Sequence, residues 1–249
     1  MTRILAICCL LCFAAVLVQA DMVTYYEDHF DGGSLNAAWT AWGTGSSELV
    51  GSDLEFTTEA GDFHPAYEST YGVPRHVFLI SPPAGASQWS AVTRVRYNTP
   101  DQAFEQVDLM AFADHNNNTR LAYDYSGGQR FHVVLAEQAG AATQTGSATT
   151  AHLDYFWMRL ERNGDVYTGS VSDDPTANPD LVTWTVIGSI TNNLLDPMVG
   201  VGGWNTFTSP SGEPAEFDYF RLQVVPEPSM LAAVSAMLLA LRSARRRAL

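Results

Sequence analysis

Met158-Arg-Leu-Glu-Arg-Asn-Gly-Asp-Val-Tyr-Thr-Gly-Ser-Val171 is the stretch from which the fold can be read. Asn163-Gly164 separates two runs of strand length, 158–162 and 165–171. Asn and Gly tolerate the positive φ that a two-residue turn demands, so the stretch predicts a β-hairpin. The same period of two continues outward. Ala91-Val-Thr-Arg-Val-Arg-Tyr97 puts Val92 and Arg94 on one face and Thr93 and Val95 on the other. Phe131–Leu135, Phe156–Leu160 and Thr183–Ile187 are β-branched or aromatic runs. Turn clusters lie between such runs: Asp31-Gly32-Gly33, His115–Asn118, Ser126-Gly127-Gly128 and Ser209–Gly212. No helical stripe or linker interrupts Tyr25 to Val225. The prediction is one all-β domain over 21–225, a two-sheet sandwich or a barrel.

The two ends read differently. Residues 1–20 carry Arg3, an apolar run Ile4–Val18 and a small-residue site ending at Ala20. That is the form of a secretory signal cleaved by signal peptidase, and the run is shorter than the roughly 20 residues of a spanning helix. Cys8, Cys9 and Cys12 all lie within it, so the mature domain is expected to hold no disulfide or thiolate metal site. The C-terminal segment, 226–249, reads Pro226-Glu227-Pro228, then apolar Met230–Leu241, then arginines at 242 and 245–247. Prolines expose the backbone, and a basic end stays cytoplasmic. Twelve apolar residues span about 18 Å as a helix, short of a hydrocarbon core of roughly 30 Å.

Residues 21–225 hold eight arginines against 26 Asp and Glu, a net charge of −18, and the chain has no lysine. Such a field argues against nucleic acid as a partner and leaves divalent cations, basic surfaces and neutral polymers open.

The C-terminal tripartite segment resembles the PEP-CTERM sorting signal. The matching features are Pro226, Glu227 and Pro228, the short hydrophobic helix, and the terminal Arg245, Arg246 and Arg247. The resemblance implies an exosortase as processing partner. It also implies export across the inner membrane of a Gram-negative bacterium, a transient tether through the C-terminal helix, and release to the cell surface or extracellular matrix.

The central domain is similar to the concanavalin A-like lectin/glucanase superfamily, nearest the domain attached to some β-xylosidases. The matching stretches, in order, are Phe30–Leu35 with Trp39, Asp53–Thr58, Gln106–Asn117, Trp157–Gly164 and Phe217–Leu222. The resemblance implies a jelly roll of two antiparallel sheets with its first and last strands adjacent. It also implies a structural calcium near Asp218, with Asp28, Asp31 or Gly51 as companions.

For glycosidase chemistry two carboxylates must share a face about 5–5.5 Å apart in a retaining enzyme. Along Phe104–Asp114, Glu105 and Asp108 alternate to opposite faces, while Gln106, Asp108 and Met110 share one. Asp114, beside Asn116–Asn118, is a turn residue. One strand therefore supplies no pair, and a couple drawn from different strands stays open. There is no Gly-x-Ser-x-Gly elbow. His29, His64, His76, His115, His132 and His152 lack metal-ligand spacing. Saccharides stack on exposed rings flanked by polar groups. Trp157 and Trp184 sit in apolar runs and are expected in the core. Trp204, in Gly202-Gly203-Trp204-Asn205, and Trp42 sit in loop-like settings. Trp42, Trp204, Asn205 and Tyr125 are thus the candidate carbohydrate surface. The expectation is a non-catalytic carbohydrate-binding-like module with polysaccharide as partner. The alternatives are a structural matrix protein without a ligand and a divergent glycoside hydrolase.

Overall fold

The structure, a computed structural model, describes residues 21–43, 45–63, 68–70, 72–97, 104–149, 152, 154–205 and 214–226. Thr24–Val224 form one compact unit. In chain order the strands are β1 (Val23–Asp28), β2 (Thr40–Trp42), β3 (Glu48–Val50), β4 (Asp53–Thr57), β5 (His76–Ile80), β6 (Gln88–Arg96), β7 (Glu105–Asp114) and β8 (Asn117–Ser126). They continue as β9 (Gln129–Gln138), β10 (Ala141–Thr149), β11 (Phe156–Asn163), β12 (Val166–Ser172), β13 (Thr185–Thr191), β14 (Met198–Trp204) and β15 (Pro214–Val224).

These strands form two antiparallel sheets packed as a jelly-roll sandwich. The first runs β13-β12-β11-β6-β15-β4-β3, with β1 also paired to β15. The second runs β10-β9-β8-β7-β14-β5-β2. The first and last strands are neighbours, as the superfamily resemblance implies. Alternation decides what fills the interior. Val107, Leu109 and Ala111 of β7, and Leu121 and Tyr123 of β8, meet Phe156, Met158 and Leu160 of β11 and Phe217, Phe220 and Leu222 of β15 in one buried cluster. Burying such side chains contributes roughly 1.5–3 kcal/mol each, enough for a cysteine-free domain of this size to hold together.

The hairpin predicted at Asn163-Gly164 is present, with its turn displaced by one residue. Asn163 pairs with Val166, so Gly164 and Asp165 are the central pair. Gly164 takes the positive φ of 62°. Trp157 packs with Val92, Val182 and Tyr219 on the outer side of the first sheet, and its indole N–H donates to Thr176 O at 3.0 Å. Trp184 is only half-buried there, with the Arg159 guanidinium 4.5 Å above its ring.

Asp218 is the extra residue of a β-bulge. The register of β15 on β6 slips between Phe217 and Tyr219, which lets both Phe217 and Phe220 face the core. Asp218 then meets Arg94 at 2.7 Å, and burial lifts its carboxyl to about 6 against the pull of Arg94.

The expected membrane tether is corrected here. Among the described residues no helix is long and apolar enough to cross a membrane, and the apolar run of the tail is itself too short to span one. The signal segment 1–20 and Glu227, Pro228, Arg245, Arg246 and Arg247 lie outside the described residues. Pro226 is exposed beyond the end of β15.

Candidate functional site

Strand β7 carries two chemistries on its two faces. Its core face is apolar from Val107 to Ala111, whereas Gln106, Asp108, Met110 and Phe112 point away from the sandwich interior. Register places Gln106 opposite Asp124, Asp108 opposite Ala122 and Met110 opposite Arg120 on β8. Arg120 stands opposite Leu135 on β9. The outer face of the second sheet therefore gathers Gln106, Asp108, Arg120 and Asp124, with Glu137 at the end of β9.

Half of that face is covered. The chain leaving β4 crosses it and pairs with the end of β14: Asn205 N donates to Glu59 O at 3.0 Å and Gly61 N to Asn205 O at 2.9 Å. Phe63 then seats its ring against Trp204 at 4.9 Å, Phe112 at 5.4 Å and Trp42 at 5.7 Å. Trp204 and Asn205 are consequently fully buried, and Trp42 is half-buried. The expectation that Trp204 and Asn205 present a loop surface is corrected. The glycines before them mark close packing: a Cβ on Gly203 would lie 3.0 Å from Gln106 O and from the Phe56 ring. Tyr125, half-buried, shares the strand face of Tyr123 and so points away from this outer face.

The uncovered half is an open pocket of about 580 Å³. Asp62 stands at the covered side, Gln106, Arg120 and Asp124 lie at its base, Phe131, Val133 and Leu135 of β9 form its apolar floor, and Gln144 of β10 closes it. Phe104, at the rim, holds a φ of 60°, a backbone state that non-glycine residues adopt at a cost and that clusters at functional sites. Its N–H donates to Tyr125 O at 2.7 Å.

Charge is unevenly balanced around the base. Arg120 donates to Glu137 at 2.7 Å, both side chains being buried, and its guanidinium lies 5.2 Å from the Trp204 ring and 5.5 Å from that of Phe63. Burial works against its charge, but Glu137, Asp108, Asp62 and Asp124 hold it protonated. Asp124 is pushed up to about 7 by burial; Arg120 and the Tyr125 N–H oppose the rise and Asp62 adds to it. Asp108, wholly buried, is raised well above the usual carboxylate range by desolvation, with Asp124, Asp62 and Glu137 adding to the rise against the pull of Arg120. Among the described residues neither Asp108 oxygen has a hydrogen-bond donor, nor do Asp124 Oδ1 and Gln106 Oε1.

The other predicted positions serve structure. Glu105 points inward and accepts from Thr58 Oγ1 at 3.2 Å. Asp114 caps the β7–β8 turn, accepting from the Asn116 N–H at 2.8 Å and from Asn117. The residues named for calcium are not brought together. Asp28 is engaged by Trp39 Nε1 at 2.9 Å, Tyr26 Oη at 2.7 Å and Phe30 N at 2.8 Å. Asp31 is exposed, and Asp218 faces the Arg94 guanidinium, a cation where a metal would need none. Among the described residues no group of three or more His, Asp or Glu could hold a metal ion. The residues present do not fit calcium.

The pocket residues Asp62, Arg120, Asp124 and Glu137 were not singled out from sequence. The signal that could have found three of them is a charge inside an otherwise apolar strand: Arg120 and Asp124 in Thr119–Tyr125, and Glu137 after Val133–Ala136.

No family model matches the chain, and no curated protein sequence does. Solved structures do. The GH43 protein BlXynB from Bacillus licheniformis aligns at 17% identity with a TM-score of 0.66, over 85% of this chain and 41% of its own. This chain thus spans about two fifths of that protein's length. A CBM2 module of the evolved Dit of Lactobacillus casei BL23 phage J-1 aligns at 11% identity and TM-score 0.57, over 84% of this chain and 99% of the module. The exoplasmic/lumenal domain of VIP36, in a form bound to Ca2+ and Man3GlcNAc, aligns at 9% identity and TM-score 0.56, over 81% and 89%. The domain has a concanavalin/lectin-like β-sandwich fold.

Proposed function

We propose that the domain is a non-catalytic carbohydrate-binding-like module whose site is the pocket on the outer face of the second sheet. The observation that carries this reading is the pair of directly opposed side chains at the pocket base, Gln106 and Asp124, each with a buried acceptor oxygen lacking a donor. A buried polar group left unmade costs about 1–3 kcal/mol, and sugar hydroxyls are donors. The apolar floor and the half-buried Phe131 ring offer the flat contact that the hydrogen-rich face of a pyranose takes. A matrix role with no ligand leaves those acceptors unaccounted for. The carbohydrate-binding-like neighbours support the reading at the level of fold.

Titration of the full chain with soluble oligosaccharides, read by isothermal calorimetry, tests it. Binding that weakens at least tenfold in Phe131→Ala and Gln106→Ala supports the reading; silence across neutral, acidic and amino oligosaccharides overturns it. Glycoside hydrolysis is the second reading, favoured because Asp108 and Asp124 stand on adjacent strands of one face. Reducing-sugar release by the wild type that is lost in Asp124→Asn would replace the non-catalytic reading. Signal peptidase and an exosortase, as processing partners, rest on the terminal sequences, and the intact mass of the protein from its native source tests both.

A further inference from the structure

Resting on the carbohydrate reading, we propose that the pocket base accepts a positively charged sugar, the ammonium group of a 2-amino-2-deoxyhexose unit in a de-N-acetylated polymer. Two kinds of observation converge on it. The first is charge. Asp62, Asp108, Asp124 and Glu137 surround Arg120, which among the described residues lining the pocket is the one cation, and its bond to Glu137 commits it. The second is hydrogen bonding. Gln106 and Asp124 are 5% and 7% exposed, they face each other across β7 and β8, and Gln106 Oε1 and Asp124 Oδ1 are acceptors without donors. An ammonium group brings three donors and one positive charge. It meets an amide oxygen and a carboxylate at once, and charge-assisted bonds of this kind are the strong ones. A neutral hydroxyl supplies one donor and no charge to favour the Asp124 carboxylate.

The charged groups acting on the Asp124 carboxyl are Arg120 on its own strand, Asp62 on the covering segment and Asp108 on β7. The bond needs an ionised carboxylate and a protonated amine; burial delays the first to about 7 and the sugar amine loses its proton as pH rises through neutrality, so affinity should pass through a maximum near neutral pH and fall on both sides.

The experiment compares three hexamers on the full chain at about 150 mM salt: the glucosamine hexamer, its fully N-acetylated form and cellohexaose. The expected result is affinity for the glucosamine hexamer at least tenfold above both others at pH 7, lost in Asp124→Asn and reduced in Gln106→Ala. The net charge of −14 on the full chain makes surface attraction the rival explanation. Amino-sugar binding that is unchanged in Asp124→Asn is that attraction alone and overturns the proposal. Equal or tighter binding of the neutral hexamers, sensitive to Gln106→Ala, overturns the ammonium specificity while leaving the carbohydrate reading in place. Binding of none of the three, nor of any other saccharide, removes both. Circular dichroism confirms that each variant is folded.

Discussion

Asp124 illustrates how a strand position can carry stability and binding in opposition. Its carboxyl titrates near 7 against an ordinary 3.8 because burial disfavours the anion. The folded state therefore holds the proton over a window where the unfolded chain has released it. The resulting stabilisation is full below about 3.8 and is lost as pH rises through 7. An amide imitates the protonated acid. Asp124→Asn should thus raise the melting temperature at pH 8 and change it little at pH 5; a lower melting temperature at pH 8 would show that the pull of Arg120 outweighs burial. The buried histidines act with opposite sign. His132 Nε2 and His152 Nε2 are 2.7 Å apart, with Asp173 on the far nitrogen of His152. Burial lowers His132 well below 6.5, and the His152 charge lowers it further. Acid below 6.5 protonates the unfolded chain first, so stability falls as pH falls through that range. Denaturant melts of His132→Phe should show a smaller acid loss than wild type. At this scale the common face of Gln106 and Asp108 was readable from alternation, though not that it is the outer one. Burial of Trp204 was not, because the segment covering it is 140 residues away in sequence.

The covering segment and the free edges are what turn a sandwich face into a pocket. Phe63 anchors the chain leaving β4 by closing over Trp204, Phe112, Trp42 and the Arg120 guanidinium. Removing its ring exposes that cluster. Phe63→Ala is expected to cost about 3–5 kcal/mol, the usual range for a buried aromatic, measured by equilibrium unfolding; a loss under about 1 kcal/mol would mean the segment does not depend on this contact. The opposite side of the pocket rests on β10, an edge strand with mostly exposed side chains. A bulge between Thr145 and Ala148 brings Gly146, at φ 66°, against the carbonyl of Ile187 on β13, where a Cβ would collide. The two sheet edges meet there. Gly146→Val should lower the melting temperature and weaken saccharide binding together, since β10 carries the pocket wall; an unchanged melting temperature would place the seam elsewhere. The hairpin at Asn163-Gly164 and the turn at Gly127-Gly128 were readable. The β15 bulge at Asp218 was not, since bulges leave no period of their own in a sequence.

At the scale of the whole molecule, two layers of alternating strands account for a thiol-free domain, and the order of segments along the chain was enough to read the jelly roll. The ligand site was harder to read because it is assembled from β7, β8, β9, β10 and the segment after β4, which lie far apart in the sequence. The strong negative charge argues against nucleic acid only in general terms, and it gains local meaning where Asp62, Asp108, Asp124 and Glu137 gather around Arg120. The central claim is that this pocket binds saccharide through Asp124 and Gln106. Calorimetric titration of the glucosamine hexamer into the wild-type chain, Gln106→Ala and Asp124→Asn tests it most directly. The account predicts saturable one-site binding by the wild type that falls tenfold or more in both variants. Binding of equal strength in all three chains would contradict it.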